Sequence, residues 1–268
     1  MATAPAVQGR GSLLHTRGTW SPREDRTAFA VWLGVIWVGM IAGFGLDFPT
    51  YLHQSPPAPL ILHVHAAVFA VWMLIATAQV TLVMKDRVRW HMKMGWFAVG
   101  WACVMAVVGP WAVMSWMALN VHTLLHPPLP HPLLPPQFLA VNLVDLAGFL
   151  VLLGWGLTLR KNPAAHKRLM ILATVSLADP GFARISTNVL TWHPSTAFGF
   201  FWLVFYGNVL LVGLMLGWDG WRGRLMQQEV IGGVGMLAAM YGAATLFFWA
   251  PWQAATLGWV QAWARHFG

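Results

Sequence analysis

Seven apolar stretches recur along this chain, at 27–48, 59–84, 94–120, 137–159, 169–190, 197–217 and 229–252. Each is near the roughly 20 residues that a helix needs to cross a hydrocarbon core. The expected fold is therefore all-α: a polytopic membrane protein with about seven transmembrane helices. Composition agrees. Apolar residues make up 58% of the chain and charged residues 9%, with a mean hydropathy of +0.60. A soluble domain carries roughly 25% charged residues. Too few charges remain here to coat a globule in water, so the lipid bilayer is the expected partner.

The basic residues fix an expected orientation. Arg10, Arg17, Arg23 and Arg26 precede the first stretch. Lys85, Arg87, Arg89 and Lys93 follow the second, Arg160, Lys161, Lys167 and Arg168 the fourth, and Arg222 and Arg224 the sixth. The loops at 49–58, 121–136 and 191–196 carry no Lys or Arg. Fourteen basic residues thus fall on one side, Arg265 on the other, and Arg184 inside a span. The positive-inside rule then puts the N-terminus in the cytoplasm and the C-terminus outside. The net charge of +8 follows from this bias and does not suggest nucleic-acid binding. The expected organisation is a cytoplasmic tail (1–26), a membrane domain (27–252) with a two-hairpin core (59–190), and an external C-terminal tail (253–268).

Local signals sharpen this picture. Residues 1–26 lack the apolar core of a secretory signal. Ser21-Pro22-Arg23-Glu24 reads as a capping box with proline at the first helical position. The stretch HTLLHPPLPHPLLPP (122–136) reads as extended chain, because proline lacks the donor and fixes φ. Trp20, Trp96, Trp192, Trp218 and Trp252 sit at span ends, as an interfacial belt requires. Cys103, the single cysteine, reads as a small core residue and excludes any disulfide within the chain.

Eleven histidines are many for so apolar a chain. His53, His63, His65, His122, His126, His131 and His193 are expected at the outer level, and His91 and His166 at the inner level. The two basic turns, RVRWHMKMGW and NPAAHKRLMI, each place a histidine just before the next span. If the two hairpins pack as a four-helix bundle, His91 and His166 share a depth and can face each other. They could be paired axial ligands of a b-type haem, with Lys93, Lys167 or Arg168 near its propionates, or part of a snorkelling basic cluster.

His63 and His65 are two apart and point about 200° apart on a helix, so one metal cannot take both. His63 shares a face with Ala67, Ala70, Leu74, Thr77 and Thr81, small enough to admit a macrocycle. His65 shares one with Trp72 and Gln79. Either could ligate haem or copper or another metal, or simply bond a neighbouring loop. Asn142, Asp145, Asp179 and Arg184 are polar residues at membrane depth, where charge is costly and usually paired. Asp179 and Arg184 lie about 140° apart on a helix, so Arg184 is expected to pair with Asp145 or a bound anion unless Pro180 and Gly181 kink the helix. No nucleotide-binding glycine loop, serine elbow or HExxH zinc motif occurs.

Residues 60–185 resemble a family of uncharacterised bacterial multi-span proteins. His65, Gln79, His91, Gly95, His166, Lys167, Arg168, Leu169, Met170, Asp179 and Arg184 match its pattern, while Met92 and Met94 depart from its Arg and Leu. The resemblance implies a bacterial inner (cytoplasmic) membrane location and that these polar positions act together. A looser resemblance, to transmembrane b-type cytochromes with a four-helix core, implies a haem between His91 and His166. A second, outer haem would need a histidine on the fourth span, which has none; His122 or His193 would have to substitute, beside His63 or His65. The first expectation is a redox protein carrying haem b and linked to quinone, with Arg184 toward a cofactor anion. The rivals are an accessory or assembly subunit of a larger membrane complex or homo-oligomer, packed through Gly232, Gly233, Gly235 and Gly242, and a proton-coupled or metal transporter using Asp179.

Overall fold

A computed structural model describes residues 22–53, 58–124, 134–190 and 194–267. Its order is α1 (Pro22–His53), α2 (Leu60–Met84), α3 (Val88–Leu124), a 3-10 turn (Pro136–Phe138), α4 (Leu139–Thr158), α5 (Pro163–Val175), α6 (Asp179–Val189), α7 (Ala197–Trp221), α8 (Gln227–Phe248) and α9 (Ala250–Phe267). No strand occurs among the described residues. Six helices are long and apolar enough to cross a membrane, and α5 with α6 makes a seventh span if the bent pair is counted as one. The outer faces of these helices are apolar: Val38, Ile41, Val107 and Val151 are each more than 60% exposed. Lipid, unlike water, imposes no cost on such a surface.

The local chemistry explains the helix ends. α1 begins at Pro22, as the capping-box reading expects, although Ser21 itself lies outside the described residues. Asn162 caps α5, accepting from Ala165 N (3.4 Å), with Pro163 at the first helical position. Thr196 caps α7 through Gly199 N (3.2 Å). The α2–α3 turn carries Asp86 at φ 55°, a left-handed position that Asp tolerates. Arg26 reaches across to Asp86 at 2.7 Å.

The fifth span is broken. α5 and α6 meet at 41°. Pro180 has no N–H for the carbonyl four residues back, so the ladder fails at Ser176–Ala178, just ahead of the proline. Small residues then let α6 reach α1. A Cβ on Gly43 would lie 1.8 Å from the Gly181 carbonyl oxygen, and Phe182 fits where a Cβ on Gly39 or Gly207 would stand.

Two expectations change here, the extended reading of 122–136 and the buried reading of Cys103. His122, Thr123 and Leu124 continue α3. The first proline of that stretch is Pro127, and a proline disfavours helix only at and near its own position. Residues 125–133, with His126 and His131, lie outside the described residues, and Pro136 opens a helical turn. The C-terminal segment is the helix α9, packed along α3, with Trp263 Nε1 donating to Ser115 Oγ (3.4 Å). Cys103 is exposed on α3, because in lipid an apolar position need not be a buried one. Of the tryptophans expected in a belt, Trp96 is open (73% exposed). Trp252 donates to Gln137 O (3.0 Å), and Trp218 packs against Trp221 and Arg222; Trp20 and Trp192 lie outside the described residues.

In α8 the glycines divide. Gly232 and Gly233 face Leu152, Leu169, Leu172 and Val212, while Gly235 and Gly242 have nothing within 4 Å.

Candidate functional site: two polar layers in the bundle

The first layer lies at the basic end, where the turns α2–α3, α4–α5 and α7–α8 gather. His91, one turn into α3, and His166, one turn into α5, face each other with ring centroids 6.3 Å apart and planes at 82°. Each ring is held from behind through Nδ1. His166 Nδ1 lies 2.8 Å from the Gly156 carbonyl, which requires the proton on Nδ1 and leaves Nε2 bare. Behind His91 stands Gln79 of α2. With its amide nitrogen toward the ring, it donates to His91 Nδ1 (2.6 Å) and His91 O (3.1 Å), and its oxygen accepts from Gly95 N (3.0 Å). In that orientation His91 carries its proton on Nε2. With the amide reversed, Gln79 accepts from Nδ1–H and both Nε2 atoms are bare.

These two rings form a two-ligand set. Among the described residues no group of three or more His, Cys, Asp or Glu gathers to hold a metal. A bare ion needs about four ligands, whereas haem brings its own equatorial nitrogens and takes one or two axial ligands. The separation fits as well. Metal–imidazole bonds of about 2 Å on each side, with the half-width of each ring, put the two centroids about 6 Å apart. The separation suits two axial imidazoles, but the Gln79 orientation that makes all its hydrogen bonds leaves the His91 Nε2 protonated; ligation by His91 requires Gln79 to turn over, which sets its oxygen against His91 O and its nitrogen against Gly95 N.

Beside the pair is a buried ionic cluster. Arg168 is 1% exposed. Its Nε lies 2.5 Å from Asp219 Oδ2 and 3.3 Å from Glu229 Oε2, and its Nη1 donates to Ala164 O (2.9 Å). Lys167 hydrogen-bonds Asp25, and Arg224 lies 2.6 Å from Asp25. Three cations and three carboxylates tie α1, α5, α7 and α8 together. Lys167 and Arg168, expected near propionates, are thus committed to protein carboxylates, and Lys93 lies over the Trp90 ring (5.2 Å). Asp25, Asp219, Glu229 and Arg224 were not read as partners from the sequence. The available signal was the rarity of acid: Asp and Glu number only 8, and three stand where a basic turn meets a span.

The second layer lies around the α5–α6 break. Asp145 of α4 (6% exposed) and Asp179 of α6 (2% exposed) are both buried here. Ser176 Oγ donates to the Asp145 carbonyl (3.2 Å), and Asn208 of α7 donates to Val175 O (2.8 Å). The expected Arg184–Asp145 pair does not form. Arg184 lies 2.8 Å from Asp47 of α1 and contacts Tyr51, because the break turns α6 toward α1. Asn142 bonds its own helix at Phe138 O (3.1 Å) and stays outside this layer.

The outer histidines do not converge. His63 is exposed with Ala67, Ala70 and Leu74, so that face points away from the bundle; its Nδ1 bonds Pro59 O at 3.3 Å. His65 turns inward onto Phe69, with ring centroids 4.3 Å apart. His53 bonds Pro49 O (2.8 Å). The side chains of His122 and His193 lie outside the described residues. Compared with known families, with curated proteins and with solved structures, the chain matches none.

Proposed function

We propose that this chain is a haem b-binding electron carrier of the bacterial cytoplasmic membrane, linked to quinone, with His91 and His166 as axial ligands. The observation that carries the reading is the ring pair: 6.3 Å between centroids, each imidazole backed by a polypeptide partner at Nδ1. An acceptor behind Nδ1, as the Gly156 carbonyl is for His166, orients a metal-binding histidine and raises its basicity, and Gln79 serves His91 in that way once its oxygen faces the ring. Haem, when bound, supplies a one-electron iron centre. The chain's own residues align the rings and keep the helices α3 and α5 at a fixed spacing. A separate observation supports quinone as the partner. A groove of about 390 Å³, lined by Leu82, Arg87, Trp90, Lys93, Met94 and Phe97, lies at the α2–α3 hairpin that carries His91. It offers aromatic and cationic groups at the lipid boundary, suited to a flat carbonyl-bearing headgroup.

The orientation belongs to the same proposal. Lys85, Arg87, Arg89, Lys93, Arg160, Lys161, Arg222 and Arg224 gather at one end, which the positive-inside rule assigns to the cytoplasm. The N-terminus then lies inside, α9 lies outside, and the His91–His166 pair sits near the inner face. Reporter fusions at either terminus test this.

An absorption spectrum of purified protein tests the redox reading. A Soret band that shifts on dithionite reduction, and disappears in His91→Ala and in His166→Ala, is the expected result. Folded protein without that band, expressed with haem in supply, overturns it. A second reading, an accessory subunit packed against another chain, has one observation behind it: Gly235, Ala238 and Gly242 form an open small-residue face on α8. Native mass spectrometry in lipid discs tests that reading, with Gly235→Leu expected to dissolve any assembly.

A further inference from the structure

At the basic end of the bundle, cations outnumber the carboxylates that neutralise them. Asp25 takes Lys167 and Arg224, Asp219 and Glu229 take Arg168, and Asp86 takes Arg26. Among the described residues, no carboxylate pairs with Arg89 or Lys93. Lys93 instead stands over the Trp90 ring, 5.2 Å from its centroid. These two charges need an anion that the described protein does not supply.

They also share a cavity. Arg89, Lys93 and Trp96 are separated by four and then three residues, which puts them on one face of α3. Together with Trp90 and Met92 they line a groove of about 630 Å³. Arg89, Met92 and Trp96 belong to this groove and not to the smaller one assigned to quinone.

The chemistry is graded along the helix. Arg89 and Lys93 lie about 6 Å apart in rise, close enough for one phosphate to meet both. Trp96 follows about 5 Å deeper, at the level where the headgroup layer gives way to hydrocarbon. Beyond it the same face continues through Gly100, which has nothing within 4 Å of a Cβ, to Cys103 and Val107, both exposed. The occupant must therefore carry negative charge at one end and apolar chains at the other. Free phosphate answers the first half of that description, and a neutral lipid the second. Basic pockets at the membrane surface bind the headgroups of anionic lipids, which answer both.

We propose that this groove binds one anionic phospholipid, with its phosphate between Arg89 and Lys93 and its acyl chains along the Trp96–Val107 face of α3. The Trp90 ring holds the Lys93 ammonium in place, and Arg89 supplies a planar fork that fits phosphate. The site rests on neither haem nor quinone, so failure of the redox reading leaves it intact.

Native mass spectrometry of the full chain in detergent, offered phosphatidylglycerol or phosphatidylcholine with the same acyl chains, tests it. Wild-type protein is expected to bind phosphatidylglycerol about 10- to 30-fold more tightly, the effect of two cations at a membrane surface. Arg89→Gln combined with Lys93→Gln is expected to bring the two lipids within about twofold of each other. Arg160→Gln combined with Lys161→Gln, at the same end but outside the groove, is expected to keep the preference. No preference in wild type, its survival in the first double variant or its loss in the second overturns the proposal. Displacement of phosphatidylglycerol by an equal concentration of inorganic phosphate also overturns it, because the groove then takes a free anion. Where the Arg89 and Lys93 variant does not fold, wild-type protein decides the matter: the preference is expected to fall at high salt, and a salt-independent preference overturns the proposal.

Discussion

Replacing Arg168 by Met removes the hub of the ionic cluster while keeping much of the side chain's volume. Arg168 is 1% exposed and serves Asp219 at 2.5 Å and Glu229 at 3.3 Å, with Asp25 at 4.0 Å. The substitution leaves the buried carboxyls of Asp219 and Glu229 without their cation; Asp25 keeps Lys167 and Arg224. Breaking a buried pair on one side costs about 3–5 kcal/mol. At about 1.4 kcal/mol per tenfold, that lowers the folded-to-unfolded ratio roughly a hundredfold to several thousandfold. Unfolding of detergent-purified protein, followed by circular dichroism against increasing denaturing detergent, measures it. The origin of the loss is checked by neutralising the stranded acids. Arg168→Met combined with Glu229→Gln and Asp219→Asn is expected to recover more than half of the deficit, because no uncompensated charge remains. A single variant within about 1 kcal/mol of wild type, or a triple variant no better than the single, would refute the reasoning.

Three further outcomes follow from the packing and the histidine pair. Gly43→Ala puts a Cβ 1.8 Å from the Gly181 carbonyl oxygen, against backbone that cannot rotate away. It is expected to cost about 1–3 kcal/mol or more in the same unfolding assay, whereas Gly45→Ala, with nothing within 4 Å, stays within about 0.5 kcal/mol. Gln79→Leu removes the group behind His91 and is expected to weaken haem retention about 10- to 100-fold by haem titration, while Gln79→Glu, a pure acceptor for Nδ1–H, retains haem. Cys103, exposed on α3 toward lipid, is expected to resist maleimides in the folded protein because no water is there to take the thiol proton, and to react on denaturation; rapid labelling of folded protein by a charged, water-soluble maleimide would place that face of α3 in water.

Much of the site was legible because its cues are local. His91 and His166 follow similar basic turns in successive hairpins, and hairpins of similar length bring equivalent positions to one depth. Their meeting could be read from the repeat alone. Gln79 shared a helix face with His65, but its contact with His91 needed the α2–α3 pairing. The acidic partners were a different matter. Asp25, Asp219 and Glu229 are far from Lys167 and Arg168 in sequence, and a count of charges per loop says which end they occupy without saying which touch.

The spans themselves, and the basic bias that orders them, are set residue by residue. A segment of about 20 apolar residues between polar turns has one low-energy state in a bilayer, a helix that satisfies its own backbone. Nothing comparable specifies which helix stands beside which, because the lipid-facing and the protein-facing sides of each span are equally apolar. That choice came from close-fitting small residues, such as Gly39, Gly43, Gly181 and Gly207 around Phe182, and from the break before Pro180. Together they swing α6 toward α1 and give Arg184 to Asp47 rather than to Asp145.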